Sequence, residues 1–275
     1  MISATRPTVD GEALYNEVAS RRMNRARLNE LATIVFQRYR QYSNSEGMCT
    51  PALWPGTDKA LLSGNWTYLS SDGRLSDLHP HLTRLTRGYC FLCGDRKAGE
   101  VDHYLPKSSF PEFSILPLNL IPACHECNKT KRAKYTSTQP YLYFHPYLMN
   151  FPSHQFLKAE ITLINTVAIE YRIDTSVKSP EVRALAHQFD DLKLGEIYSD
   201  QAVQFMNDQL NSYHQDYRNG GAHLMRKNRR NDANSALASR GPNHWKPVLL
   251  NALADNDEFC DGRFGLLGAE VPLDL

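Results

Sequence analysis

Residues 90–131 read CFLCGDRKAGEVDHYLPKSSFPEFSILPLNLIPACHECNKTK, and this stretch decides the fold that we expect. It opens with the C-x-x-C pair of Cys90 and Cys93 and continues to a second pair, Cys124 and Cys127. Four thiolates complete a tetrahedral zinc site without a position for water or substrate, so the pattern predicts a structural Zn²⁺. A redox role would need one pair in a thioredoxin-like βαβ context, which the sequence lacks. The segment between the pairs exceeds the roughly 15–20 residues of a simple zinc ribbon, which indicates an inserted element.

The composition is that of a soluble globular protein of one or two domains. The chain has 275 residues, of which 41% are hydrophobic and 22% charged, and its net charge of +1 favours no class of binding partner. No run approaches the roughly 18 apolar residues of a membrane span, and the N-terminus lacks an apolar signal core. We therefore expect a cytoplasmic protein with no membrane contact. The two cysteines outside the pairs, Cys49 and Cys260, are expected to be buried thiols.

Two further motifs lie within or beside the inserted element. Residues 101–108 read VDHYLPKS, residues 116–128 read LPLNLIPACHECN, and Lys131 follows. Together with the two cysteine pairs, and in this order, they resemble the HNH endonuclease superfamily in the form that carries two zinc knuckles. The resemblance covers residues 87–136. It implies a ββα-metal fold, in which two strands are followed by a helix.

The implied elements can be placed on the sequence. The first strand would end near Asp102 and His103, the second would run through 118–122, and the helix would begin at about Asn128. Neighbouring residues of a regular strand point to opposite faces, so Asp102 and His103 must sit at a strand end or a bulge to serve one phosphate. Pro106 is consistent with an early end of the strand.

The resemblance also implies a role for each polar residue. Asp102 and Asn128 would hold a divalent ion, and their oxygen atoms suit Mg²⁺ or Mn²⁺. His103 would be the general base that activates water, since imidazole titrates near neutral pH. Asn119 would tie the loop after the histidine to the second strand and so orient His103. The alternative for Asn119 is an ordinary turn amide.

Basic residues are frequent around the motif. Between residues 84 and 134, nine lysines and arginines face five acidic residues, a balance of +4 that favours binding to a phosphate backbone. The alternative for any single lysine is a solvated helix face. His125 is expected to face outward rather than to bind zinc. The candidate contacts to nucleic acid are Lys107, Lys129, Lys131 and Arg132.

The flanks are predicted to be mostly helical. Apolar spacing predicts a helix over 11–42 and a second over 199–217, and partial alternation predicts a strand pair over 159–174. Ser179 is the expected N-cap of a helix whose first residue is Pro180. A cluster of four basic residues either contacts DNA or lies in an exposed, mobile loop; it comprises Arg226, Lys227, Arg229 and Arg230.

The expected fold class is therefore α+β. A mainly helical chain would contain an embedded ββα-metal zinc-ribbon nuclease module and a short β-containing C-terminal extension. The expected domains are an N-terminal helical region (1–86), the nuclease module (87–136) and a mixed, mostly helical extension (137–275). The extension resembles those of bacterial HNH proteins, some of which occur in phage-defence operons.

The expected function is metal-dependent hydrolysis of phosphodiester bonds in DNA, with RNA left open as a substrate. The alternative is a non-catalytic zinc-ribbon module that binds nucleic acid or a protein. A third hypothesis is a nuclease that acts only after a partner ATPase or sensor protein recruits it, because the near-neutral charge indicates weak unaided affinity for DNA. One catalytic site cuts one strand, so a double-strand cut would need a homodimer or two events.

Overall fold

The computed structural model describes residues 4–71, 73, 75–135 and 142–267. The chain forms two compact units. The first contains Met1–Phe151 and Ser179–Leu192, and the second contains Pro152–Lys178 and Lys193–Leu275. The described residues are mostly helical and include two small antiparallel sheets, which confirms the α+β class.

Among the residues that the structure describes, four α-helices precede the cysteine motif in the first unit. They are α1 (Gly11–Ser20), α2 (Arg25–Asn44), α3 (Gly56–Ser71) and α4 (Leu75–Leu85). The continuous helix predicted over 11–42 is wrong, because the chain turns at residues 21–24 (RRMN), where Met23 is fully exposed. The predicted apolar stripe is confirmed on both sides of the turn: Val18 of α1 and Leu28 of α2 are buried. A hydrogen bond of 2.9 Å from the Tyr15 hydroxyl to the Leu28 carbonyl joins the two helices.

The central part of the first unit has two short strands and a helix. Strand β1 (Glu100–His103) pairs antiparallel with β2 (Leu120–Ala123), with His103 opposite Leu120. The predicted end of the first strand is confirmed. The second strand begins two residues later than predicted, because a 3₁₀ turn occupies Pro117–Asn119. Helix α5 (His125–Lys131) begins three residues earlier than the predicted start and ends where the next residue takes a φ of +51°.

Helix α6 (Pro180–Asp191) returns to the first unit from the second. The predicted cap is confirmed, since the Ser179 side chain accepts a hydrogen bond of 3.1 Å from the amide of Val182. Gln188 of α6 is fully buried. Its amide donates to the Leu92 carbonyl at 2.7 Å and accepts from the Phe144 amide at 3.2 Å, so α6 supports the first cysteine pair.

Over its described residues, the second unit combines a hairpin with four α-helices. They are β3 (Leu157–Leu163), β4 (Val167–Ile173), α7 (Leu194–Asp208), α8 (Leu210–Arg240), α9 (Trp245–Asp255) and α10 (Asp257–Cys260). The predicted strand pair is confirmed. The helix predicted over 199–217 is wrong, because α7 ends and α8 begins inside that range. Helix α8 is interrupted at Gly220 and Gly221, and Gly221 has a φ of +58° that favours glycine. Within the described ranges, no helix has the length and apolar character of a membrane span.

Candidate active site and cysteine cluster

The four paired cysteines form one buried cluster. The sulfur atoms of Cys90, Cys93, Cys124 and Cys127 all lie within 4.8 Å of one another. The first pair is shaped by a tight turn, in which the Gly94 amide donates to the Cys90 carbonyl at 2.7 Å. The second pair lies at the start of α5. Four thiols at this separation are compatible with the structural Zn²⁺ that the spacing predicts.

Asn119 lies at the centre of the site and is fully buried. Its Oδ1 accepts hydrogen bonds from the Leu105 amide at 2.8 Å and the Tyr42 hydroxyl at 3.0 Å. Its Nδ2 donates to the carbonyls of Leu105 at 3.0 Å and Phe113 at 3.2 Å. All four hydrogen-bonding positions of the carboxamide are therefore used. The side chain joins the loop after β1 to the start of β2, which is the connection expected of it.

His103 is the last residue of β1 and is only 8% exposed. Its Nε2 lies 2.9 Å from the Ser114 carbonyl, which can only accept, so Nε2 carries the proton and Nδ1 carries the lone pair. No residue in the described part of the chain forms a hydrogen bond with Nδ1. Burial lowers the pKa of His103 to about 3, and the nearby ammonium of Lys107 acts in the same direction. The imidazole is therefore neutral at physiological pH, and its pKa lies well below the near-neutral value expected from the sequence.

Trp66 forms one wall of the histidine site, and sequence reasoning missed it. This tryptophan belongs to α3, far from the motif in sequence, and its ring meets the His103 ring edge-on with centroids 4.5 Å apart. The Lys107 ammonium lies 5.6 Å from the centroid of the indole. Partial burial lowers the pKa of Lys107. Lys107 is thus placed beside the candidate base, where the sequence prediction requires a phosphate contact.

Asp102 faces a different set of neighbours from His103. Its Oδ1 accepts a hydrogen bond of 2.7 Å from the His103 amide, and its Oδ2 lies 2.9 Å from the Lys131 ammonium. Oδ2 nevertheless accepts no hydrogen bond of good geometry from the described residues. Burial raises the pKa of Asp102 above its ordinary value, and the charge of Lys131 opposes that shift.

Glu100 is a second acidic residue on the same strand, and sequence reasoning missed it as a site residue. It lies two positions before Asp102, so strand alternation directs both side chains to one face. Its Oε2 accepts a hydrogen bond of 2.7 Å from Asn128 Nδ2, and its Oε1 lies 2.8 Å from His125 Nδ1. Hydrogen bonds from Asn128 and His125 lower the pKa of Glu100. The alternation of EVDH was the signal that could have identified it.

Lys131 requires a correction among the predicted phosphate contacts. The side chain has no exposed surface, and its ammonium donates to the His103 carbonyl at 2.6 Å as well as facing Asp102. Nucleic acid therefore has no access to it. Lys129 and Arg132 are exposed on or next to α5 and border an open cleft of about 570 Å³. His125 is exposed as expected and also borders this cleft.

The basic cluster in the second unit also differs from expectation. It lies in helix α8 rather than in a loop. Arg229 is buried between Asp216 and Asp232, at 3.1 and 3.0 Å. Arg226 pairs with Asp257 at 2.8 Å. Arg230 forms an ion pair with Asp255 and donates a hydrogen bond of 2.7 Å to Asn251. These pairings neutralise most of the cluster, so it is a poor candidate for DNA contact.

Comparison with known proteins finds one distant similarity. The chain is 26% identical over 194 residues to "Protein ea31" of Escherichia phage lambda. The aligned part covers 63% of this chain, and the chain spans 64% of the length of that relative. No protein-family model matches the chain. No solved structure matches it at a significant level. Function is therefore inferred from the site itself.

Proposed function

We propose that the protein is an HNH-type, metal-dependent endonuclease that hydrolyses phosphodiester bonds in DNA. The observation that carries the proposal is the arrangement around β1. Three oxygen-bearing side chains, those of Glu100, Asp102 and Asn128, belong to β1 and to α5, the helix that also carries Cys127. His103 follows Asp102 directly, with Nε2 fixed and Nδ1 available. Strand alternation puts Glu100 and Asp102 on one face of β1, where Asn128 contacts Glu100, and His103 ends the same strand.

The oxygen donors suit a hard divalent cation. Asp102 Oδ2 lies 2.9 Å from the Lys131 ammonium but accepts no well-formed hydrogen bond from the described residues, so it keeps a lone pair that a divalent cation could use. Asn128 turns its Nδ2 toward Glu100, which leaves its Oδ1 as the ligand atom. Carboxylate and carbonyl oxygens are the ligands that Mg²⁺ and Mn²⁺ prefer. A bound ion would neutralise phosphate charge and stabilise the leaving oxygen.

The proposed base is His103 Nδ1. The hydrogen bond from Nε2 to the Ser114 carbonyl fixes both the tautomer and the ring orientation. A neutral imidazole can take a proton from water, and Trp66 limits the space around the ring. Lys107 is the proposed phosphate contact next to this atom.

The exposed cations of the α5 cleft are the proposed contacts to the rest of the strand. Lys129 and Arg132 border the cleft, and Glu126 is the acidic residue that faces them there. Contacts of this kind bind the phosphate backbone without reading sequence. A role in bacterial phage defence rests on the resemblance of the C-terminal extension, and recruitment by a partner ATPase or sensor protein rests on the near-neutral net charge of +1.

The test is a cleavage assay with supercoiled, linear and single-stranded DNA and with RNA, in Mg²⁺ and in Mn²⁺. The parent should cleave at least one DNA substrate, and His103→Ala and Asp102→Ala should lose at least 100-fold in rate, since general-base catalysis contributes roughly 10²–10⁴-fold. The control His154→Ala removes an exposed histidine of the second unit and should cleave like the parent. Zinc content must be equal in all four proteins. Equal cleavage by His103→Ala and the parent would contradict the proposal.

One observation favours the alternative of a non-catalytic zinc module. The pair of Asp102 and Lys131 already satisfies the charge of the carboxylate, and His103 has little exposed surface. This arrangement would serve a purely structural site equally well. The alternative predicts nucleic-acid or protein binding without cleavage in either metal.

A further inference from the structure

A directed chain of hydrogen bonds ends at Asn119. It passes through Tyr42 of α2 and through His145, which lies after α5. Both residues are fully buried in the first unit, and neither belongs to the cysteine motif. Gly47 makes room for the imidazole, because a Cβ there would lie 2.6 Å from His145 Cδ2. Three separate segments of the chain therefore converge on one carboxamide.

The donors and acceptors of this chain can be assigned without ambiguity. The Tyr147 amide donates to His145 Nδ1 at 3.2 Å, so Nδ1 carries the lone pair and Nε2 carries the proton. Nε2 lies 2.8 Å from the Tyr42 hydroxyl oxygen and must donate to it. The hydroxyl proton is then directed to Asn119 Oδ1 at 3.0 Å, in preference to the Leu118 carbonyl at 3.5 Å.

The chain continues from Asn119 to the loop that holds the candidate base. Because Tyr42 fixes Oδ1, the Nδ2 group points at the carbonyls of Leu105 and Phe113. The residue after Phe113 is Ser114, whose carbonyl accepts from His103 Nε2 at 2.9 Å. The orientation of His103 thus depends on a carbonyl whose neighbour is held by Asn119.

We propose that Tyr42 and His145 are positioning residues for His103, acting through Asn119 and the loop of residues 104–114. The proposal rests on the proposed nuclease function. In this proposal, α2 and the segment after α5 hold the loop of residues 104–114 in one conformation. Neither residue touches the nucleic acid.

The first test compares two hydroxyl deletions on the same helix. Tyr42→Phe removes the hydroxyl that bonds Asn119. Tyr39→Phe is the matched control, because its buried hydroxyl has no hydrogen-bond partner among the described residues and both rings contact Phe113. We expect kcat of Tyr42→Phe to fall roughly tenfold, because a small displacement of the base lowers the rate of the chemical step. Its KM should stay within about twofold of the parent value. Tyr39→Phe should keep both constants.

The second test is a rescue at His145. Gln at this position retains an N–H donor for Tyr42, whereas Leu retains none. His145→Gln should therefore keep a larger part of kcat than His145→Leu. If the two variants lose the same fraction of kcat at equal thermal stability, His145 acts through packing alone, and its part of the proposal is overturned.

A readout independent of cleavage separates this proposal from the proposed function. The Leu105 amide donates to Asn119 Oδ1 at 2.8 Å, so its hydrogen exchange reports on the loop. Tyr42→Phe should lower the protection of Leu105 roughly tenfold and Tyr39→Phe should not. If the parent cleaves nothing, the proposed function fails, while loss of protection in Tyr42→Phe alone still supports the positioning of the loop. If Tyr42→Phe matches Tyr39→Phe in both kcat and protection, the positioning proposal is overturned.

Discussion

The Lys131 ammonium lies 2.9 Å from Asp102 Oδ2 and donates a hydrogen bond of 2.6 Å to the carbonyl of the next residue, His103. One buried cation therefore contacts both members of the Asp-His pair, through the carboxylate of the first and the backbone carbonyl of the second. A lysine without exposed surface is uncommon unless its charge is paired, and here the pairing is to the site itself. Lys131 therefore supports the Asp-His pair and is not accessible to a substrate.

Replacing Lys131 with Met is expected to destabilise the protein strongly. The change leaves the buried Asp102 carboxylate without its counter-charge, and loss of one member of a buried pair costs roughly 3–5 kcal/mol. Lys129→Met is the control on the same helix, and it should change the free energy of unfolding by less than about 0.5 kcal/mol because Lys129 is exposed. Urea unfolding of the zinc-bound proteins, without added Mg²⁺ or Mn²⁺, measures both. Equal stability of the two variants would mean that the ion pair contributes nothing.

Removal of one ligand from the cysteine cluster is expected to abolish zinc binding and lower the melting temperature. Cys127→Ser breaks the closed set of four sulfurs, and the folding free energy of such a site comes largely from the metal. Cys49→Ser and Cys260→Ser are controls, because both cysteines are buried but lie outside the cluster. Metal analysis of the purified proteins should find one zinc per chain in the parent and the controls. A full complement of zinc in Cys127→Ser would show that the cluster is not its site.

The salt dependence of DNA binding should locate the phosphate contacts. Lys129→Ala and Arg132→Ala should each reduce the slope of log K against log salt by roughly one, since each removes one phosphate contact at the α5 cleft. Arg226→Ala should leave the slope unchanged, because that guanidinium is already paired with Asp257. Fluorescence anisotropy with a labelled duplex measures the slopes. A lower slope in Arg226→Ala would assign DNA binding to the second unit instead.

The sequence predicted those features that depend on local patterns. The cysteine spacing located the buried cluster, and the β-branched alternation located the hairpin of the second unit. The Ser-Pro pair at residues 179 and 180 located the start of α6. Each C-x-x-C pair, the alternation and the Ser-Pro pair are read from a few neighbouring residues, and the shared metal chemistry of the two cysteine pairs is what joins them across the segment between.

Long-range pairing was beyond the sequence. Trp66 reaches His103 only because α3 packs beside the loop after β1, and no motif marks it. Lys131 is buried because the end of α5 brings its ammonium to the Asp102 carboxylate and the His103 carbonyl of β1. Arg226 resembled a free cation because its acidic partner lies 31 positions away in the chain. In each case the deciding contact joins residues that the sequence separates widely.

The stability of the protein should depend on pH through His145. Burial lowers the pKa of this histidine to about 3, and the charge of Arg6 acts in the same direction. The unfolded state, with an ordinary pKa near 6.5, therefore binds one more proton than the folded state between about pH 3 and pH 6.5. The contribution of the neutral His145 to the free energy of unfolding is complete above about pH 6.5 and is lost progressively as the pH falls toward 3. It amounts to roughly 2 kcal/mol between pH 7 and pH 5.

His145→Gln isolates this contribution, because glutamine does not titrate. The variant should lose roughly 2 kcal/mol less stability than the parent between pH 7 and pH 5, whatever its stability at pH 7. His223→Gln removes an exposed histidine of α8, and its stability curve should run parallel to that of the parent. Urea unfolding at several pH values, with zinc content checked at each, gives the three curves. If the curve of His145→Gln is parallel to that of the parent, His145 is not held neutral in the folded state, and the assignment of the Nδ1 lone pair to the Tyr147 amide fails with it.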